Sequence, residues 1–352
     1  MLKILISGYT GFIGSNLTKK LSENILYGVD IFQKDSVFKH FGWEALGECV
    51  DSDCIVHLAG KAHDTGHTSS SKDYFDINVG LTQKIFQHFL KSSATKFIFF
   101  SSVKAVADSV TGEKLTEEAV PSPKTPYGQS KLEAERYILT ELQKWREGDQ
   151  AIRRSGERAR ERKGEDENGR KDDKETRRPG DGANEPVKID KKVYILRPCM
   201  IHGPGNKGNL NLLYKIQQKG LPWPLGAFEN KRSFCSVDNI LFVVQQLVEK
   251  DVEPGIYQVA DDEALSTNKL IKLMASSQSK KARIWCIPAK FIRTIARVGD
   301  RLHLPLNSER LKKLTESYLV SNQKIKIAFA IDKMPVTATA GLQKTFESFK
   351  KK

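Results

Sequence analysis

The feature that most constrains the fold is Gly8-Tyr9-Thr10-Gly11-Phe12-Ile13-Gly14, which directly follows an apolar run over residues 3–6. Each of the three glycines has a physical reason. One permits a tight turn from strand to helix, one lets the backbone approach a pyrophosphate, and one lets helix and sheet pack closely. The helix that follows offers its open N-terminal amides to phosphate oxygens. Turn glycines alone carry little weight; their position between an N-terminal strand and a helix gives them meaning. A second apolar run over 25–29 ends at Asp30, 16 residues beyond Gly14. A carboxylate there can accept both ribose hydroxyls of adenosine and repels a 2′-phosphate. The pattern therefore predicts a dinucleotide site for NAD rather than NADP.

Apolar runs recur at 54–58, 96–100 and 193–196, with helical spacing over 12–21, 77–90 and 130–142. Continuous apolar strands alternating with helices predict an α/β fold, a Rossmann-type doubly wound parallel sheet covered on both faces. A later run, Gly255-Ile256-Tyr257-Gln258-Val259-Ala260, reads as a strand returning to that sheet. The alternation breaks over 147–191, where charges of both signs dominate and apolar residues are scarce. Such a segment cannot bury enough surface to offset its ordering entropy. Gly156, Gly164 and Gly169 also argue against a long helix through it. The predicted organisation is an NAD-binding domain over 1–198 carrying a charged, disordered insertion at 147–191. A smaller C-terminal substrate-binding lobe over 199–352 follows, with segments near 231–260 returning to the first domain.

The formal charge of +14 is not spread along the chain. Residues 264–352 hold 19 basic and 5 acidic side chains, so the remainder sums to zero. No base-stacking aromatic pattern accompanies the basic end, which argues against a nucleic-acid partner. Within it, residues 287–306 include Lys290, Phe291, Ile292, Arg293, Ile295, Arg297, Val298 and Arg301, preceded by Trp285. This basic amphipathic stretch either packs its apolar face on the substrate lobe or makes peripheral contact with an anionic membrane surface. No apolar run approaches the ~20 residues that span a bilayer. The five cysteines form an odd set without C-x-x-C spacing, so neither a disulfide framework nor a metal site is expected, and a cytoplasmic location is.

Two further positions carry chemistry. Tyr127 and Lys131 stand four apart at the start of a helix and so share a face. An ammonium beside the phenol lowers its pKa from ~10 toward the range of a general base. The strand over 96–100 ends in Ser101-Ser102, at the edge of an open α/β sheet where ligands bind. A hydroxyl there can hydrogen-bond the substrate oxygen whose proton Tyr127 removes.

With these motifs the chain resembles the extended short-chain dehydrogenase/reductase superfamily, in its NAD-dependent nucleotide-sugar epimerase/dehydratase branch. The resemblance runs through nearly everything but the charged insertion. It rests on the glycine loop, His57-Leu58-Ala59-Gly60, Asn78 within Tyr74-Phe75-Asp76-Ile77-Asn78-Val79, the serine pair, and Tyr127-x-x-x-Lys131. Leu196-Arg197-Pro198, Gly203-Pro204-Gly205, Arg232-Ser233-Phe234 and Val237-Asp238-Asn239 extend it. The resemblance implies Tyr127 as base, Lys131 as the residue that orients the nicotinamide ribose, and Ser102 as the group that polarises the substrate oxygen. Ser102 is preferred to Ser101 because it lies four residues before Val106, where relatives commonly carry a Tyr or Asn. The resemblance further implies cofactor contacts at Phe12, Ile13, Leu58, Ala59, Gly60, Lys61, Asn78 and Pro198. It implies UDP-sugar contacts at Asn209, Leu210 and Arg232, and a homodimer joined through the helix of Tyr127 and its neighbour. Dehydratases of this branch carry an Asp-Glu pair after the catalytic hydroxyl, whereas this chain has Val103-Lys104, which disfavours dehydration. Two activities share the remaining residues: 4-epimerisation of a UDP-hexose or UDP-N-acetylhexosamine, and NAD(P)H-dependent reduction of a UDP-4-keto-6-deoxy sugar. A dinucleotide-sensing protein on the same fold would not need Tyr127 and Lys131.

Overall fold

Strand β1 (Lys3–Ser7) opens the chain, followed by α1 (Phe12–Lys20), β2 (Ile25–Val29), β3 (Lys39–Phe41), β4 (Cys54–His57) and α2 (Ser71–Lys91). Next come β5 (Lys96–Phe100), α3 (Pro126–Asn168), β6 (Lys192–Pro198), β7 (Met200–His202), α4 (Asn209–Gln218), β8 (Phe234–Ser236), α5 (Val237–Glu249) and β9 (Gly255–Val259). Helices α6 (Thr267–Ser277), α7 (Ala289–Leu302), α8 (Ser308–Thr315), α9 (Gln323–Phe329) and α10 (Ala338–Lys350) complete it. This computed structural model describes residues 1–33, 38–49, 51–62, 70–110, 112–168, 190–206, 208–302 and 307–350. The side chains of 151–168, Asn209 and Lys313 fall outside that description.

Seven strands form one parallel sheet in the order β3-β2-β1-β4-β5-β6-β9. This is the doubly wound arrangement the apolar runs predict. The winding reverses between β1 and β4, which pair with Ser7 opposite His57, so a crevice opens beyond the carboxyl ends of these strands. Alternate side chains feed two cores. Ile4, Ile6, Val56, Ile98 and Leu196 pack toward Ile240, Val243, Val244 and Leu247 of α5. Leu5, Ile55, Phe97, Phe99 and Ile195 pack on the other face against Ile85, Phe86 and Phe89 of α2 and Ala134 and Ile138 of α3. Burial on both faces is why these strands read as unbroken apolar runs. Residues 255–259 pair with β6, Pro198 lying opposite Val259.

A separate core holds the C-terminal lobe together. Leu210 and Tyr214 of α4, Phe234 of β8, Leu270, Ile271 and Met274 of α6, and Leu342 and Phe346 of α10 form it. Beside it β7 and β8 pair in parallel, Met200 opposite Phe234.

Two helices depart from the sequence reading. α2 starts at Ser71 rather than 77, because Ser70 accepts from the Asp73 amide while the Asp73 carboxylate accepts from the Ser70 amide. α3 runs on to Asn168, through Gly156 and Gly164, where an interruption is expected. Two glycines cost about 1 kcal/mol each against alanine. The Glu, Arg and Lys around them are good helix formers, and the first half of α3 is anchored in the core. The rest of the insertion, residues 169–189, lies outside the described residues. The chain re-enters the fold through buried Lys191, whose ammonium donates to the carbonyls of Phe89, Ser92 and Ala94 at 2.8, 2.6 and 2.7 Å. A cation thus closes the end of α2, where unpaired carbonyls would otherwise face the core.

Candidate active site

The glycine loop sits at the carboxyl end of β1. Gly8 has φ +73°, a left-handed conformation, and a Cβ there would lie 2.6 Å from the Ala59 nitrogen. At Gly14 a Cβ would meet the Gly8 oxygen at 2.3 Å. Both positions therefore require glycine for close approach of backbone to backbone. Gly11 caps α1 and brings no side chain, so no side-chain hydroxyl or carboxylate takes up the first amides of the helix. Asp30, just past β2, accepts from the Thr10 amide at 3.0 Å and the Thr10 hydroxyl at 2.8 Å, and from the Ile31 amide at 2.8 Å. The carboxylate thus ties the end of β2 to the loop as well as standing beside it.

From β4 the chain passes through Leu58, Ala59, Gly60 and Lys61. His57 bridges Ser7 at 2.6 Å and Thr82 at 2.9 Å, and burial holds its pKa down at about 3. Asn78, buried on α2, accepts from the Lys61 amide at 2.7 Å and donates to the Ser130 hydroxyl at 2.9 Å, which binds this turn to α3. A Cβ on Gly60 would meet Asn78 Oδ1 at 2.8 Å and Lys131 Nζ at 3.2 Å. The Lys61 ammonium pairs with Asp73 at 3.3 Å.

Ser102, Tyr127 and Lys131 meet on one wall of a cavity of about 620 Å³. The Ser102 hydroxyl is hydrogen-bonded to Tyr127, whereas that of Ser101 donates to buried Glu135. Adjacent serines on an extended strand point to opposite sides, so only one can serve the cavity in this way. Lys131 donates to the Phe100 carbonyl at 2.9 Å. Burial lowers its pKa to about 8, opposed by the Glu135 carboxylate one turn further along α3. Glu135 itself is held by Arg197, at 2.9 Å from Nε and 2.5 Å from Nη2.

The phenol of Tyr127 departs from the simple expectation. Its pKa is raised, first by burial and secondarily by Tyr74, against the lowering effect of the Ser102 hydrogen bond. Desolvation therefore outweighs the Ser102 hydrogen bond at the phenol.

Ile13, Leu58, Gly60 and Pro198 also line the cavity, as do Leu210 and Arg232 from the lobe side. Burial lowers the pKa of Arg232, opposed by the carboxylate of Glu316, whose carbonyl accepts from Arg232 Nε at 3.3 Å. Asn209 opens α4, but its side chain is outside the described residues. The cavity residues that the motifs did not mark as binding groups include Lys104, Asn206, Glu316 and Tyr318. The Lys104 ammonium lies 4.4 Å from the centre of the Tyr318 ring and donates to the Asp108 carbonyl at 2.9 Å. Of these, only Lys104, two residues after the serine pair, offered a local signal. Among the described residues, no group of three His, Cys, Asp or Glu side chains could hold a metal.

Comparison with known proteins agrees with this geometry. The chain is 26% identical over 306 residues to the UDP-glucose 4-epimerase of Vibrio cholerae, covering 80% of this chain and 79% of the relative. It is 24% identical over 292 residues to N-acetyl-alpha-D-glucosaminyl-diphospho-ditrans,octacis-undecaprenol 4-epimerase of Escherichia coli O157:H7, covering 79% and 73%. The fold matches the crystal structure of UDP-glucuronic acid 4-epimerase from Bacillus cereus in complex with NAD, with a TM-score of 0.67, 17% identity and 99% of each chain covered. Residues 4–146, which carry the glycine loop, the serine pair, Tyr127 and Lys131, match the NAD dependent epimerase/dehydratase family.

Proposed function

We propose that this chain is an NAD-dependent epimerase that inverts C4 of a UDP-hexose or UDP-N-acetylhexosamine through a transient 4-keto sugar. The observation that carries this reading is the convergence of Ser102, Tyr127 and Lys131 on one wall of a cavity whose other walls bring in Ile13 and Arg232. A cradle at Gly8 and Gly14 that any Cβ would fill, with Asp30 beside it, fits a dinucleotide. Gly8, Gly11, Phe12, Ile13 and Gly14 would hold the pyrophosphate and Asp30 the adenosine ribose. Lys61 and Asn78 would line the cofactor's phosphates and ribose, Lys131 would orient the nicotinamide ribose, and Leu58, Ala59, Gly60 and Pro198 would complete the cofactor contacts. NAD, when bound, supplies the hydride acceptor and donor.

The chain's own residues handle the proton. Tyr127, as phenolate, takes the C4 hydroxyl proton with Ser102 hydrogen-bonded to the same oxygen, and keeps it in the phenol form that burial favours. Once the keto sugar has turned within the cavity, Tyr127 returns that proton to the oxygen. Lys131 serves as an ammonium. Arg232 on the lobe side pairs with the diphosphate, which is shared by the nucleotide and polyprenol-linked sugars in the relatives' names. Val103 and Lys104 bring no carboxylate of the kind dehydration needs.

The test is turnover without added cofactor. The purified chain should interconvert UDP-GlcNAc and UDP-GalNAc unaided. Stoichiometric NAD(P)H consumption with a UDP-4-keto-6-deoxy sugar, and no epimerisation, would overturn the reading and put the 4-ketoreductase in its place. The reading also includes two chains paired across α2 and α3, with Leu139 exposed on α3 as an apolar contact, which sedimentation equilibrium checks. It includes a reducing cytoplasm, where five free cysteines persist.

A further inference from the structure

Helix α7 carries two apolar stripes, and the core accounts for one of them. Ile292, Ala296 and Gly299 are buried, Ile292 and Ala296 packing with Leu225 and with Leu311 of α8. Phe291, Ile295, Val298 and Leu302 are exposed, Phe291 by 60% and Leu302 by 63%. At about 100° per residue these four fall within a single narrow stripe next to the buried one. Lys290 and Arg301 border it on its other flank, and Arg293 and Arg297 lie further round, lining a cleft with Lys312 of α8. Trp285, 56% exposed, stands just ahead of the helix on a segment whose backbone pairs with Trp223. The helix has one acid, Asp300, and its carboxylate is occupied by the amide and hydroxyl of Ser308.

We propose that this face of α7 docks the protein on an anionic lipid bilayer, with the helix lying in the plane of the interface. The exposed stripe enters the acyl boundary, Trp285 sits at headgroup depth, and the bordering cations meet lipid phosphates. Charge decides between this occupant and a second copy of the chain. Two such helices face to face would set Lys290 and Arg301 of one against the same pair of the other, whereas an anionic bilayer complements them. A nucleic acid would satisfy the cations and leave the apolar stripe in water. Among the described residues no helix is long and apolar enough to cross a membrane, so the contact is peripheral. Residues 316–318, which line the active cavity, directly follow α8, and α8 packs on α7. Docking would therefore hold the lobe side of that cavity near the bilayer surface.

The experiment is co-sedimentation of the full chain with vesicles of phosphatidylcholine alone, or of phosphatidylcholine with about 30% phosphatidylglycerol. The chain should pellet with the anionic vesicles at low salt, at least about tenfold more strongly than with the neutral ones, and less as salt rises past about 0.15 M. Phe291→Ser combined with Leu302→Ser should weaken that binding at least about tenfold. Lys290→Gln combined with Arg301→Gln should reduce the preference for the anionic lipid. Both double variants should keep the wild-type melting temperature and turnover of UDP-sugar, since the four side chains are exposed and lie outside the cavity. The proposal is overturned if the wild type stays in the supernatant. It is equally overturned if the serine variant pellets like the wild type, which would mean charge alone binds, or if the serine pair abolishes only self-association. Sedimentation is read without turnover, so failure of the proposed reaction would leave its result standing.

Discussion

Replacing Glu135 by Gln keeps the volume of a buried side chain and removes its charge. In the folded chain the carboxylate accepts Arg197 Nε at 2.9 Å and Nη2 at 2.5 Å, and also the Ser101 hydroxyl. Glu135 is 1% and Arg197 3% exposed, so water screens neither, and loss of one charge leaves the other uncompensated. Breaking one partner of a buried pair costs about 3–5 kcal/mol, against roughly 5–15 kcal/mol for the whole stability of a domain. The amide retains one acceptor oxygen, which puts the loss near the lower end, about 3 kcal/mol. Thermal melting should then fall by roughly 6–12 °C. The same change reaches the cavity. Glu135 is the group that opposes the lowering of the Lys131 pKa, so without it that pKa drops further below about 8. The alkaline limb of turnover should move to lower pH. Urea unfolding and a pH–rate profile read the two effects separately. Glu135→Leu with Arg197→Met removes both charges and should recover much of the stability but not the alkaline limb. A Glu135→Gln chain that melts within about 1 °C of wild type, with its alkaline limb unmoved, would refute the reasoning.

Tyr127→Phe should lower turnover of UDP-sugar about 10²–10⁴-fold while leaving the urea midpoint nearly unchanged, because only the phenolic oxygen that handles the proton is lost. Gly8→Ala sets a Cβ 2.6 Å from the Ala59 nitrogen at a positive φ. It should cost about 1–3 kcal/mol and weaken NAD binding, read by titration of protein fluorescence. Lys191→Met leaves the carbonyls of Phe89, Ser92 and Ala94 without their shared donor and should destabilise by about 2–4 kcal/mol in urea. His57 is buried neutral with its pKa held at about 3. An unfolded His takes up its proton near pH 6.5, so the unfolded state binds more protons between that pH and the folded value. Stability is therefore full above about pH 6.5 and falls by up to about 1.4 kcal/mol per unit as pH drops toward the folded value. His57→Gln should flatten that slope by one proton, measured as urea unfolding at pH 7 and near pH 4.5; equal slopes would contradict the assignment.

What could be read from the sequence follows from where the information lies along the chain. The strands of the parallel sheet are buried on both faces, so Leu5, Ile55 and Phe99 leave as strong a mark as Ile4, Val56 and Ile98, and the runs announce themselves. The glycine loop and the Tyr127–Lys131 spacing are equally local, each set by contacts within a few residues. β3 leaves no apolar run of its own because three residues, Lys39–Phe41, carry no periodicity, and their strand character comes from pairing with Tyr27–Val29. Glu316 and Tyr318 on the lobe side of the cavity escaped notice for the same reason on a larger scale, though Leu210 and Arg232 did not. Tyr318 reaches the site through a bridge to Arg232, 86 positions earlier, and Val320 beside it pairs with Leu115. The ionisation of Tyr127 shows a different limit. A spacing of four identifies a cation on the same helix face, but the sign of a pKa shift depends on how much water the whole fold removes, and here burial prevails. The local motifs therefore mark the side of the cavity that carries Ser102, Tyr127 and Lys131, while Glu316 and Tyr318 come beside Arg232 only through the tertiary pairing of the lobe. If Tyr127 and Lys131 handle the proton as proposed, a specificity variant is to be sought in 316–318, which line the cavity from the lobe and not from that turn.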